Sequence, residues 1–354
     1  MHPPCRLRHS APRPRRRFCT KGTAVKYRPP RWLPGGHAQT IWPVTLKGKS
    51  PPYRRERWET PDGDFVDLDW VDPETVVPPR ISVPTVVLFH GLEGSSQSPY
   101  ARELMLAVHA RGWRGVVLHY RGCSGEPNRL PRFYHSADSA EIDWVLRRLA
   151  GAHFSPLLAV GISLGGNLIL KWLGEQGADA GRVLCAAVAV CAPHDLARVS
   201  VHLERGVNRI YTRNFLNTLI PRALAKAERF PELLDAERIR RARNLTEYDE
   251  AVTAPVHGFR DAADYYARAS AKPLLMAVRV PTLVLNAAND PFVPCELLPE
   301  PHEVSTQVCF ELQEFGGHVG FVGGKLPGRI DWLPRRLLRW FDEYLPHETQ
   351  PECG

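Results

Sequence analysis

In this chain of 354 residues, a serine framed by glycines, an aspartate and a histidine stand where chemistry could be done. The stretch Pro156-Leu-Leu-Ala-Val-Gly-Ile-Ser-Leu-Gly-Gly-Asn-Leu-Ile-Leu-Lys171 opens with the apolar run Leu157 to Val160. Bounded by Pro156 and Gly161, that run suits a fully buried strand. It closes with Leu168, Ile169, Leu170, Trp172 and Leu173, which fit a packed helix. Between them, Gly161-Ile162-Ser163-Leu164-Gly165 places a G-x-S-x-G at a strand-to-helix switch. That is the arrangement of a nucleophile elbow, in which a tight turn points the serine hydroxyl out of a sheet. An acyl-transfer serine also needs a base, a group that orients the base, and backbone donors for the oxyanion.

The other groups are sought on loops at the carboxyl ends of strands, where a parallel sheet gathers its chemistry. His318, in Glu314-Phe-Gly-Gly-His-Val-Gly-Phe321, follows an apolar run at Val308 to Leu312, and its neighbouring glycines let an imidazole reach across the sheet edge. Asp290, in Leu283-Val-Leu-Asn-Ala-Ala-Asn-Asp-Pro-Phe-Val-Pro294, follows the preceding strand. The order Ser163, Asp290, His318 is that expected of an α/β-hydrolase. Asp195, after the Val183 to Val190 run, is the rival acid, ranked second because it more simply caps the helix starting at Leu196. For the oxyanion, the backbone N–H of Leu164 is one expected donor. The N–H of Leu92, in His90-Gly-Leu-Glu-Gly-Ser-Ser96, is the choice for the other. His90 reads as an internal hydrogen-bonder shaping that loop, and Glu93 is expected to face away from the oxyanion.

These residues need elements to position them. Arg54 to Trp58 and Phe65 to Val71 alternate around Thr60-Pro-Asp-Gly63, which reads as a hairpin. Strands at Val83–Phe89, Val116–Tyr120, Leu157–Val160 and Val183–Val190 alternate with helices at Tyr100–Ala110, Ala137–Leu149 and Leu164–Leu173. Alternation of this kind predicts a mostly parallel sheet with helices on both faces. It stops between about Leu196 and Ser270, where helical patterns prevail, and resumes with Val280–Asn286, Val308–Leu312 and a last helix Leu333–Tyr344. An insertion of ~75 residues far exceeds what a crossover needs, so residues 196–270 are expected to form a cap over the site. The cap's apolar residues, among them Val199, Leu203, Val207, Ile210, Phe215 and Leu219, are divided between packing on the sheet and lining an acyl pocket. Prolines at 29, 30, 34 and 43 exclude a long helix before the hairpin. His37 and Gln39 are taken there as polar fillers or turn hydrogen-bonders.

Composition bounds the rest. The formal charge of +8 is unevenly spread: residues 1–55 hold fourteen Lys or Arg and no acid. The remainder carries 32 basic against 38 acidic residues, a net of −6. Residues 1–26 therefore read as a disordered basic tail, 27–345 as a single catalytic domain and 346–354 as a C-terminal tail. No nucleic-acid module follows from the charge. The start lacks the apolar core of a secretory signal, and no run of ~20 apolar residues spans a membrane, leaving peripheral contact open. Eight scattered cysteines show no metal-like spacing, and Cys185 and Cys191 read as buried thiols. No metal or cofactor is called for, and a cytoplasmic location is expected. Oligomeric state is not specified.

The motifs together resemble the YheT-like group of the α/β-hydrolases. The matching stretches are Gly36-His-Ala-Gln-Thr-Ile-Trp-Pro43, His90-Gly-Leu-Glu-Gly-Ser-Ser96, Arg121-Gly-Cys-Ser-Gly125, Gly161-Ile-Ser-Leu-Gly-Gly-Asn167, Tyr265-Tyr-Ala-Arg-Ala-Ser270, Asn289-Asp-Pro-Phe-Val-Pro294 and Gly316-Gly-His-Val-Gly320. The resemblance implies a Ser163–Asp290–His318 triad and esterase activity on short- or medium-chain acyl esters. The H-x-x-x-x-D spacing that some relatives carry for acyl transfer is not matched, since His135 is followed by Asp138. Alcohol O-acyl transfer or a lipid-directed esterase with the same triad is the alternative. An idle scaffold that only binds a ligand is the reading from another class.

Overall fold

The computed structural model describes residues 26–74, 83–152 and 156–345. The expected basic tail, apart from Lys26, and the expected C-terminal tail lie outside the described residues. The hairpin strands β1 (Arg54–Glu59) and β2 (Phe65–Val71) come first, paired antiparallel around a turn in which Gly63 has φ 82. There follow β3 (Thr85–Phe89), α2 (Pro99–Ala110), β4 (Arg114–His119), α3 (Ser139–Ala152), β5 (Leu157–Ile162), α4 (Leu164–Gln176) and β6 (Ala186–Val190). After the helical insertion come β7 (Thr282–Ala287), β8 (Val308–Gln313) and α11 (Trp332–Asp342). The eight strands form one sheet in the order β1-β2-β4-β3-β5-β6-β7-β8, and only β2 runs against the rest. The expected fold class, a mostly parallel sheet flanked by helices with a helical insertion, is the one observed.

Both faces of the sheet are covered, which is why its central strands read as unbroken apolar runs. Val86, Leu88, Val160 and Leu285 pack under α2 and α11 through Leu104, Met105, Leu337 and Phe341. Val87, Phe89, Ala159 and Val284 turn the other way, under α3 and α4, to meet Ile142, Leu146, Leu168 and Ile169. Strand direction then brings the ends of β3, β5, β6, β7 and β8 to one edge.

The insertion runs through α5 (Leu196–Leu203), α6 (Arg209–Arg229), α7 (Ala236–Arg241), α8 (Leu245–Tyr248), a single π-helical turn at Asp249–Thr253, α9 (Ala254–His257) and α10 (Ala262–Ala269). It has a core of its own from Leu216, Ala223, Ile239, Tyr248 and Val252. Asp195 accepts from the N–H of Arg198 at 3.1 Å and so caps α5. The proline-rich segment holds only a short helix, the ten residues of α1 (Gly36–Thr45), which begins after Pro34 and meets Pro43 in its last turn, so few residues follow the one i→i−4 bond that is lost. Two expectations fail. Cys185 is exposed, lying one residue before β6. Val207 and Ile210 are 59% and 64% exposed, neither packed on the sheet nor turned into the cap.

The loop after β4 is tied down by charge. Arg121, 3% exposed, donates from Nε to Glu141 at 2.6 Å and from Nη1 to Asp62 at 2.9 Å and Asp64 at 3.3 Å. Asp64 also accepts from Asn128 Nδ2 and from the N–H groups of Arg129 and Leu130. This joins the hairpin turn to the segment 121–130, which forms part of the cavity described below. Burial would raise the Asp62 carboxyl, but hydrogen bonds from Thr60 and Arg121 outweigh it and hold the pKa down to about 2. A depressed carboxyl contributes stability above its unfolded pKa and loses it as pH falls, so the clamp should weaken between pH ~4 and ~2. Replacing Arg121 by Met strands buried carboxylates and should cost ~3–5 kcal/mol in urea unfolding at neutral pH. A loss under ~1 kcal/mol would show that water already solvates the cluster.

Candidate active site

Ser163 ends the β5–α4 turn with φ 52 and ψ −115, a conformation that costs a non-glycine residue of order 1–3 kcal/mol. Two backbone bonds hold it: its N–H donates to Val190 O at 2.8 Å, and its carbonyl accepts from Asn167 N–H at 3.0 Å. The flanking glycines are required by contact. A Cβ at Gly165 would lie 2.2 Å from Phe89 O, and one at Gly161 would lie 2.3 Å from Gly165 O. Larger residues would push α4 away from β3 and β5.

His318 lies between the other two expected residues. Its Nε2 is 2.9 Å from Ser163 Oγ and its Nδ1 is 2.9 Å from Asp290 Oδ2. Asp290 is 3% exposed, and its Oδ1 accepts from the N–H groups of Phe292 at 2.7 Å and Val293 at 3.2 Å. The Phe292 ring stacks on the imidazole, with centroids 4.1 Å apart. Three residues from distant parts of the chain are thus joined by two short hydrogen bonds. Ser163 can lose a proton toward Nε2 while Asp290 fixes Nδ1–H as donor.

The segment taken for filler supports this arrangement. Gln39 is fully buried, and its Oε1 accepts from Gly316 N–H at 2.9 Å and from Asn289 Nδ2 at 3.1 Å. Asn289 Oδ1 in turn accepts from Gly317 N–H at 2.9 Å. Thr40 Oγ1 accepts from the His318 N–H at 2.8 Å. Gln39, Thr40 and Asn289 therefore set the backbone that carries both imidazole and carboxylate. Their only signal in the sequence was membership of a recurring motif, because no local pattern announces hydrogen bonds spanning 250 to 278 residues.

Leu92 and Leu164 both border the cavity beside Ser163, and neither N–H is bonded to another described residue. His90 shapes their loop as expected. It is fully buried, its Nδ1 donates to Gly91 O at 2.8 Å, and its Nε2 accepts from Tyr120 N–H at 3.4 Å. Burial drives its pKa down to about 3, so it stays neutral near pH 7. Glu93, with φ 56, does not reach into solvent: its Oε1 accepts from Tyr134 OH at 2.9 Å and from Arg222 on α6 at 3.0 Å.

Above Ser163 and His318 lies a cavity of about 400 Å³. Val199, Leu203, Phe215 and Leu219 from the insertion form an apolar wall there, and Phe133 and Tyr134 also line the cavity. Asp249, in the π-helical turn, lies on the same wall and accepts from Tyr266 OH and Thr253 Oγ1. Burial raises its carboxyl to about 6 against those two hydrogen bonds. One grouping among the described residues has metal-ligand types within reach of each other, Cys191, Asp290 and His318, with donor atoms within 4.8 Å. It is the Asp–His pair already described plus a thiol that burial keeps protonated, which is a poor donor set.

Residues 84–324 match the family model described as the α/β hydrolase fold. YheT of Escherichia coli (strain K12), whose name carries a provisional esterase assignment, is 42% identical over 91% of this chain and 95% of its own length. Human phospholipase ABHD3 is 30% identical over 91% of this chain and 80% of its own. Human monoacylglycerol lipase ABHD2 is 28% identical over 89% and 79%. Among solved structures, the Pyrococcus furiosus esterase Pf2001 superposes with a TM-score of 0.53 over 85% of this chain and 98% of its own, at 15% identity, and so speaks for the fold alone. With a family model covering most of the sheet and a relative this similar along nearly its whole length, the chain belongs to the α/β-hydrolase family, in its YheT-like, ABHD3-related branch.

Proposed function

We propose that this chain is a serine hydrolase of carboxylic esters with short or medium acyl chains, working through an acyl-enzyme. The observation that carries this reading is the chain of hydrogen bonds from Ser163 through His318 to Asp290 at the floor of an apolar cavity. Ser163 Oγ adds to the ester carbonyl carbon as its proton passes to His318 Nε2. The N–H groups of Leu92 and Leu164 hold the oxyanion, and Asp290 stabilises the imidazolium. The bond to the alcohol oxygen then breaks, and Nε2 returns the proton to the leaving alkoxide. Water repeats the sequence on the acyl-enzyme, giving up a proton to Nε2 that ends on Ser163 Oγ as the acid departs. An alcohol in place of water would make the same site an acyltransferase. The names of ABHD3 and ABHD2 favour lipid esters as substrates within this reading.

The first test is of roles. Ser163→Ala should lower ester hydrolysis by several orders of magnitude and abolish labelling by a fluorophosphonate. Asp290→Asn should keep the fold yet cut kcat by ~10⁴, whereas Asp195→Asn should leave kcat nearly intact and cost ~1 kcal/mol as a lost helix cap. Ser163→Ala with activity within tenfold of wild type would leave the fold as a binding scaffold.

The second is of support. Gln39→Leu leaves Gly316 N–H and Asn289 Nδ2 without their acceptor. It should lower kcat by up to ~100-fold while KM changes little, since misplacing a reacting group by about 1 Å costs that much. An unchanged kcat would reduce Gln39 to packing.

The third is of the cavity. Each added acyl carbon should improve kcat/KM up to about fourfold until the wall of Leu203, Phe215 and Leu219 is reached. Butyrate, octanoate and palmitate esters on wild type and Phe215→Ala would reveal that limit, and a flat profile would leave the cap as padding. As pH rises through about 6, Asp249 ionises in the cavity wall. KM for an octanoate ester should then rise, because a carboxylate holds water where the acyl chain must lie. Asp249→Asn should flatten the KM profile, and an unaltered one would place Asp249 outside the acyl path.

A further inference from the structure

Among the described residues seven large apolar side chains stand exposed, and five of them fall on three segments that touch. Ile41 and Val44 are 51% and 74% exposed on α1, Val207 and Ile210 flank the start of α6, and Leu326 is 65% exposed in the turn before α11. α1 meets α6 where His37 Nδ1 lies 2.9 Å from Tyr211 OH, one helical turn from Ile41 and one residue from Ile210. It meets the turn where Trp42 Nε1 donates to Pro327 O at 2.7 Å. Two of these segments, α1 and the start of α6, also touch the candidate active site. Thr40 holds the His318 N–H, and Tyr211 packs edge-on against Phe292, which stacks on His318.

Charge on these segments is of one sign. There is no Asp or Glu in residues 26–55, 205–227 or 315–330. Arg31, Lys47, Lys49, Arg209, Arg213 and Lys325 are exposed, and their side chains have no hydrogen-bond or ion-pair partner among the described residues. In the sequence, residues 1–25 hold seven further cations and no acid. The rest of the chain is net acidic, so the concentration of cations here is local. Protein interfaces usually centre on buried aromatic or Arg anchors with paired charges. Aliphatic tips on separate elements, surrounded by long unpaired cations, match instead a surface that is apolar beneath and anionic above.

We infer that the edge formed by α1, the 323–329 turn and the start of α6 docks on an anionic lipid bilayer, which would bring the membrane beside the candidate active site. Val44, Ile210 and Leu326 enter the headgroup boundary, and the cations pair with lipid phosphates. The surface goes beyond the ester-hydrolase reading and does not require it, so the test uses the full chain carrying Ser163→Ala. Its sedimentation with phosphatidylcholine vesicles is compared with and without phosphatidylglycerol. Binding should need the anionic lipid and fall in high salt. Arg209→Gln with Arg213→Gln should weaken partition about thirtyfold, from the usual worth of two surface cations. Ile210→Asp should weaken it by more than about tenfold. The same substitutions with Ser163 restored should leave hydrolysis of a water-soluble ester unchanged, which checks that they fold. A Ser163→Ala chain that ignores both vesicles, or binding that the further substitutions leave intact, would overturn the inference. So would self-association lost in the same variants without vesicle binding, which would assign the edge to a second copy of the chain.

Discussion

The site depends on how closely backbones approach beneath Ser163. Its left-handed conformation persists because β3, β5, β6 and α4 meet there at main-chain distance. A strained turn of ~1–3 kcal/mol survives only where its surroundings over-determine it. Here the hydrogen bonds to Val190 and from Asn167, with glycines on either side, leave the turn no alternative. The same residue that closes the elbow reaches the insertion. Asn167 Nδ2 donates to Ala269 O at 2.8 Å, and its Oδ1 accepts from Ala271 N–H at 2.9 Å. Ser163 and the end of the insertion thereby share one buried amide.

This explains why two motifs far apart in the chain occur together. The Tyr265–Ser270 stretch contributes Tyr265 OH as acceptor for Ser136 N–H, Tyr266 OH as donor to Asp249, and Ser270 Oγ as acceptor for Leu196 N–H. Each of these binds the insertion to the sheet or to itself around the cavity. Arg222 on α6 and Glu93, next to Leu92, form a similar tie. The insertion is therefore joined to the elbow and to the loop after β3 by polar contacts.

Much of this was legible in residue order. Strands buried on both faces leave apolar runs, and β3, β4, β5, β7 and β8 start or stop within two residues of the runs that announced them. Ser163, Asp290 and His318 could be picked out because chemistry at strand ends leaves glycines and polar residues after apolar ones. What escaped was long-range support. Gln39 and Thr40 sit in a segment whose prolines suppress helical periodicity, and their partners lie at the far end of the chain. Asp249 was hidden for another reason: a π-helical turn breaks the 3.6-residue period that would have placed it on an inner face. Val207 and Ile210 were misplaced because hydropathy marks what could be buried and is silent on what a fold leaves outside.

The bonds from Gln39 to Asn289 and Gly316 span 250 and 277 of the 354 residues, so they close most of the chain into a loop. Contacts of such separation form late, since loop-closure entropy must be met before they contribute. The hairpin, the first strands and the elbow can assemble from residues 54–190 while the histidine is still unplaced. In refolding, recovery of helical signal should precede recovery of turnover, and the interval between them measures how long the first helix takes to find the loops after the last two strands.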